Sequence, residues 1–197
     1  DSTIYFERKH NKYQQFLENN KNTTERLRYN DIMHSRQAEF LVNESGYPLY
    51  DGTSSEYLPS GERFFERLLA ELENAQKYIF IEFFIIAEGY MWDEIHKILK
   101  RKAAEGVEIK IICDDFGSIK RQSQGFLNKL RRENIEIAVF NPIHPIFNIF
   151  MNNRNHRKIV VIDGRIGFFG GMNIADYYLH GKPEVGDWVD MHIRMHG

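Results

Sequence analysis

The sequence predicts an α/β fold: a mixed, largely parallel sheet flanked by helices. Three observations carry that prediction. Strand-like apolar runs alternate with helical periodicities along the 197 residues. The run Tyr78 to Ile86 is too apolar and aromatic for a half-exposed strand, so it reads as a central one. No stretch reaches the roughly 18 to 20 consecutive apolar residues of a membrane span; the longest, "YIFIEFFIIA", is short and carries Glu82.

Residues 1–56 read as a polar N-terminal arm or linker, helix-permissive and weakly amphipathic, with Tyr5, Tyr13, Phe16 and Leu17 as its few apolar handles. From Tyr57 the patterning tightens, and 57–197 reads as one domain. Ser60 is placed to cap a helix whose Phe64, Phe65, Leu68, Leu69 and Leu72 recur at helical spacing up to Asn74. After the central strand, a second helix is expected from Met91 to Ala104, closed by Gly106 and followed by a strand from Val107 to Cys113. A third helix, Gln124 to Glu133, leads to a strand from Ile135 to Phe140. The next stretch, "NPIHPIFNIFMNNRN", has two prolines that forbid a continuous helix. Its apolar residues fit either the lip of a lipid-facing or substrate-facing groove or a loop packed over the sheet.

Composition narrows the function classes. A formal net charge of -2 supplies no global field for nucleic acid or anionic lipid, so neither is expected to be recruited by charge and any anion site must be local. The single cysteine, Cys113, rules out an intrachain disulfide and reads as a buried thiol in a reducing compartment. The chain is expected to be soluble. It begins without methionine and stops just after a strand, which suggests an excised piece.

One stretch carries chemistry. In "HRKIVVID" strand alternation puts His156, Lys158, Val160 and Ile162 on one side, so imidazole and ammonium converge. Asp163 and Gly164 supply a turn, "RIGFF" returns as a paired strand, and Gly170, Gly171 and Asn173 come back near the start of the hairpin. The paired glycines allow close backbone approach to a ligand. The following "NIADYYL" reads as a short helix with Asn173 at its N-terminus. Free backbone N–H groups, an ammonium, an imidazole and an amide make a compact oxyanion site, most naturally for phosphate. Singly, each residue has a bland reading as a cap, a core histidine or a solvated lysine; no packing rule asks for all of them together. Neither HExxH, nor a Cys/His grid, nor a Gly-rich nucleotide loop occurs, so no cofactor and no metal are expected. Asp114 and Asp115, at a strand end, read as caps, and His192 and His196 as sharing one strand face.

The pattern HxK(x)4D(x)6GGxN, filled by His156, Lys158, Asp163, Gly170, Gly171 and Asn173, resembles the HKD motif of the phospholipase D superfamily. "NHRKIVVIDG", "GGMNIADYYL" and "WVDMHIRMHG", with "SGERFFERLLAELENAQKYIFIEFFII" and "KRKAAEGVEIKIICDDFGS" upstream, are similar to the first catalytic half of bacterial cardiolipin synthases. The resemblance implies a phospholipase D-like fold with a single HKD motif and a double displacement through phosphohistidine. It implies a phosphatidyltransferase acting on phosphatidylglycerol and a parent protein in the bacterial cell membrane with a cytoplasm-facing catalytic region. Family members carry two HKD motifs and two transmembrane helices; this chain holds one motif and no such helices, and so resembles half of an enzyme.

A phosphodiester's charge must be neutralised before a nucleophile can attack in line, a task that suits Lys158 and Asn173. Neutral imidazole, with a reference pKa of about 6.5, makes His156 a competent nucleophile near pH 7. A second histidine, from another HKD half of the parent chain or from a homodimer partner, is expected to protonate the leaving alcohol. The resemblance places an orienting acid at Asp190; Asp187, Asp176 and Glu184 are its rivals. Asp163 is expected to be structural, holding the turn or pairing with a basic neighbour. Two alternatives stay open: a homodimeric, single-motif phosphodiesterase or nuclease, and a non-enzymatic phosphate-binding scaffold.

Overall fold

The computed structural model describes residues 21–45, 49–143, 152–179, 186 and 188–197. The apolar handles expected in the arm and most of the proline-flanked apolar stretch lie outside the described residues. The chain divides into two compact units, residues 1–53 and 54–197. In the first, α1 (Lys21–Asn30) and α2 (Ile32–Ser45) flank Asp31, whose carboxylate accepts from the backbone N–H groups of Met33 and His34 and so starts α2. Arg28 of α1 reaches Glu39 of α2 through Nε at 3.0 Å, tying the two helices together.

The second unit is built on seven strands: β1 (Ser54–Leu58), β2 (Tyr78–Phe83), β3 (Glu108–Asp114), β4 (Glu136–Phe140), β5 (Lys158–Ile162), β6 (Ile166–Gly170) and β7 (His192–His196). They form one sheet in the order β1-β7-β6-β5-β2-β3-β4. The α/β class with a mixed sheet holds, but "largely parallel" is corrected: only β2–β3 and β3–β4 pair in parallel, and every other neighbour is antiparallel. A parallel pair needs a crossover, usually a helix. α4 (Tyr90–Ala104) supplies it between β2 and β3, and α5 (Asp115–Ser118) with α6 (Phe126–Arg132) between β3 and β4. The strands after Phe140, β5 to β7, pair antiparallel with every neighbour.

Two boundaries also move. β1 begins at Ser54, inside the stretch read as arm, because a short polar strand "SSEYL" declares itself only through its distant partner β7. The central strand ends at Phe83, and Ile86 makes an isolated bridge to Ile174. α3 (Gly61–Asn74) starts as its sequence indicates, with the Ser60 hydroxyl accepting from the Arg63 N–H.

The helices bury Phe64, Leu68 and Leu72 of α3 and Met91, Trp92, Ile95 and Leu99 of α4 against alternate strand residues: Ile79, Ile81 and Phe83, Ile109 and Ile111, Val160 and Ile162, and Phe168. Burying each such side chain contributes about 1.5–3 kcal/mol. Cys113 is buried in the same core, and burial pushes its thiol pKa up, so it is protonated and inert. At one end of this core the apolar pattern breaks: Lys158 and His192 occupy inward positions that elsewhere hold Val, Ile or Phe.

Candidate active site

His156 and Lys158 meet at one aromatic ring. β5 begins at Lys158, so His156 lies two residues before the strand. Lys158 is 4% exposed, while His156 is exposed. The Lys158 Nζ donates to the His156 carbonyl oxygen at 2.8 Å and stands 5.3 Å from the centroid of Phe84, the residue after β2. The His156 ring packs on the same Phe84 at 4.8 Å, tilted by 52°, and makes no hydrogen bond among the described residues. An imidazole open to solvent thus sits beside a desolvated ammonium. Burial lowers the Lys158 pKa, and the negative charge of Asp190 works against that shift.

The register explains the glycines differently from the sequence. Ile159 pairs with Phe169, so Lys158 falls opposite Gly170, which in turn pairs with His192. A Cβ on Gly170 would lie 2.3 Å from the Met191 carbonyl oxygen and 2.7 Å from the His192 ring; one on Gly171 would lie 2.1 Å from the Asp190 carboxylate. The Gly171 N–H donates to the Met191 carbonyl at 3.0 Å. The pair therefore admits Asp190 and His192 to the neighbourhood of Lys158, and the Gly171 N–H is not free for a phosphate. Asp190 is half-buried and accepts from the Met191 N–H at 2.7 Å; it acts on Lys158, with no hydrogen bond to His156.

Asn173 is buried, and its amide ties two segments together. Oδ1 accepts from the Ile85 N–H at 2.9 Å, and Nδ2 donates to the Tyr178 hydroxyl at 2.9 Å. No α-helix starts there, a correction to the expected anion-binding N-terminus: Ile174 forms the bridge to Ile86, and only a 3₁₀ turn, Asp176–Leu179, follows. Hydrogen-bonded pairing to the strand beyond Phe83 wins over helix here. Asp176, a rival for orienting His156, accepts instead from the Tyr90 and Met91 N–H groups at the start of α4. Glu184 and Asp187 lie outside the described residues.

Asp163 occupies the hairpin turn with φ 54°, followed by Gly164 at φ 71°. Its carboxylate accepts from the N–H groups of Gln76, Lys77 and Tyr78 at 2.7–2.9 Å, fastening the turn to the start of β2. Burial works upward on its pKa, but the three donors outweigh it and hold the carboxyl below the usual range. Among the described residues no three His, Cys, Asp or Glu side chains gather as for a metal ion.

His192 escaped the sequence reading, which saw it only as a strand neighbour of His196; Phe84 carried no signal at all. His192 is fully buried, stacks on Phe64 at 3.9 Å, and neither ring nitrogen has a hydrogen-bond partner among the described residues. Burial, with the charge of Lys158 second, lowers its pKa from 6.5 to about 4. Because the folded value is depressed, its contribution to stability is complete above pH 6.5 and is lost as pH falls toward 4. The loss is on the order of 3 kcal/mol. Urea unfolding across that window is expected to show a steeper decline for the wild type than for His192→Phe, which keeps a ring but cannot titrate. Equal slopes would show that the imidazole stays accessible to protons in the folded chain.

Residues 68–190 match the family described as cardiolipin synthase, PLD-like domain. An uncharacterized protein of Streptococcus mutans is 39% identical over 160 residues, 81% of this chain and 35% of its own length. A cardiolipin synthase of Halalkalibacterium halodurans is 37% identical over 163 residues, 82% of this chain and 32% of its own. This chain therefore spans about a third of the length of these relatives. Among solved structures, Nuc from Salmonella typhimurium, a phospholipase D family member, superposes with a TM-score of 0.55 at 18% identity over 74% of this chain and 84% of Nuc, a likeness of fold.

Proposed function

This chain belongs to the cardiolipin synthase, phospholipase D-like domain family, and from that premise we propose that it is the first catalytic half of a phosphatidyltransferase. In this reading two phosphatidylglycerol molecules become cardiolipin and glycerol. The observation that carries it is the pairing of an exposed imidazole, His156, with a buried ammonium, Lys158, on the same Phe84 ring. A diester phosphate set against that pair has its charge offset by Lys158 in a desolvated setting, where the attraction is stronger than in water.

The neutral His156 nitrogen attacks phosphorus, a P–N bond forms, and the P–O bond to the first glycerol breaks as that oxygen takes a proton from a second histidine. The hydroxyl of an acceptor phosphatidylglycerol then attacks the phosphorus, gives its proton to the second histidine and releases His156. That histidine comes from a second HKD half of the longer protein. Asp190 serves by favouring the charged form of Lys158. The Gly170–Gly171 pair acts by giving Asp190 room beside Lys158, and Asn173 by tying the segment after β6 to the segment after β2. Phospholipid as substrate calls for a membrane surface, and the longer protein is placed in the bacterial membrane with this domain on its cytoplasmic side. Among the described residues no helix is long and apolar enough to cross a membrane.

A second reading is a homodimeric phosphodiesterase or nuclease in which two copies of His156 meet. What favours it is that the shared fold covers 84% of Nuc, so a chain of this size can carry the fold whole. One experiment separates the two. The full-length protein is quenched in denaturing detergent at neutral pH during turnover of phosphatidylglycerol labelled with ³²P, and the label is mapped and then tested for release by acid. An acid-labile label on the His156 peptide, with cardiolipin as product, supports the transferase; simple hydrolysis by a symmetric dimer supports the alternative. Absence of a labelled histidine peptide counts against both.

A further inference from the structure

The segment that carries His156 is fixed by two acids rather than by the sheet, and we infer that Glu82 and Asp114 are positioning residues for that histidine. Residues 154–157 precede β5 and have no ladder pairing of their own. Left to themselves they would be a loop, and a loop is a poor place from which to aim a nucleophile. Every neighbour of His156 is instead tied down. Asp114, fully buried at the end of β3, accepts from the Asn155 N–H at 2.8 Å through one oxygen and from Arg154 Nη1 at 3.2 Å through the other. The second oxygen also accepts from Phe116 N–H at 2.9 Å, so the same carboxylate starts α5. Glu82, next to last in β2, accepts from Asn155 Nδ2 at 2.5 Å and from Arg157 Nη1 at 3.4 Å. Asn155 closes the turn by accepting the Arg157 N–H at 3.2 Å.

Both acids stand at the same end of adjacent parallel strands, whose register is set by the core. They transmit that register to a segment the core does not reach. The side chains on both sides of His156 are held, and the His156 ring is left exposed against Phe84. Glu82 lies on the half-exposed face of β2, outside the core, and among the described residues its ion pair is to Arg157 of the segment that carries His156. Two anions also hold a run that contains Arg154, Arg157 and Lys158, limiting the mutual repulsion of three cations around one nucleophile.

This inference rests on His156 being the nucleophile, and the test keeps the two claims apart. Asp114 makes too many buried hydrogen bonds for a clean variant, so Glu82, at the border of the site, is the one to change. In the full-length protein, Glu82→Ala is expected to lower kcat on phosphatidylglycerol by ~10- to 100-fold with KM within about twofold, the scale of a nucleophile displaced by about 1 Å. Glu82→Gln, whose amide oxygen still accepts from Asn155, is expected to recover most of that rate. Both variants should melt within a few degrees of the wild type. Should His156→Ala be inactive while Glu82→Ala keeps wild-type kcat, or should Glu82→Gln fail to exceed Glu82→Ala, the positioning role is overturned and the site reading survives. Full activity in His156→Ala would overturn the site reading and this inference with it.

Discussion

His156→Ala in the full-length protein is expected to lose at least ~10³-fold in phosphatidyl transfer while unfolding at the same urea concentration as the wild type. The two halves of that expectation have separate causes. The imidazole is exposed, makes no hydrogen bond among the described residues, and touches the rest of the protein through the Phe84 ring. Removing such a side chain from a surface position typically changes stability by about 0.5 kcal/mol or less. Its chemistry has no substitute nearby: Lys158 is held as a buried ammonium with its nitrogen turned to the His156 carbonyl, and His192 is sealed against Phe64. Turnover measured with phosphatidylglycerol in vesicles, alongside urea midpoints on the same samples, decides the matter. Near-normal turnover at an unchanged midpoint would remove His156 from the mechanism.

Lys158→Met should behave in the opposite sense on stability. The ammonium is 4% exposed, and burial opposes its charge. A buried cation costs stability unless it is well paired, and here, among the described residues, its one hydrogen bond is to a neutral carbonyl. Methionine keeps the length of the stem and its packing against Phe84 without the desolvation cost. Asp190, left without its cation, is half-buried and can be hydrated. The variant is therefore expected to be at least as stable as the wild type in urea, and yet to lose at least ~10²-fold in transfer, since the desolvated positive charge beside His156 is gone. A stable and active Lys158→Met would mean that the ammonium is merely tolerated. A destabilised one would mean that its pairing with Asp190 outweighs its burial.

Spacing drew attention to these two residues by reading them onto one face of a strand; in the structure only Lys158 belongs to β5, and His156 reaches the same Phe84 ring from the segment before it. The same local logic located Ser60 as a cap, Gly106 at a helix end and Asp163–Gly164 at a turn, where φ of 54° and 71° is what a tight hairpin demands. Where a residue's surroundings came from elsewhere in the chain, the reading faltered. Gly170 and Gly171 looked like room for a ligand, but the space they leave is filled by the strand after them, through Asp190 and His192. Asn173 looked like a helix cap, but its amide is taken by Ile85 and Tyr178. β1 could not be seen at all, since a polar edge strand has no pattern until its partner is known.

By itself the sequence determined the α/β class, the three helices that alternate with β2, β3 and β4, and the turn at Asp163–Gly164, because each follows from periodicity or from a single residue's backbone preference over a few positions. Only the tertiary structure decided that four of six strand pairings run antiparallel, that Lys158 is desolvated while His156 is exposed, and that Glu82 and Asp114 grip the segment between them. Burial and hydrogen bonding between residues far apart in the chain are properties of the sheet order. That order depends on which strands bury the most surface together, a comparison no short stretch of sequence contains.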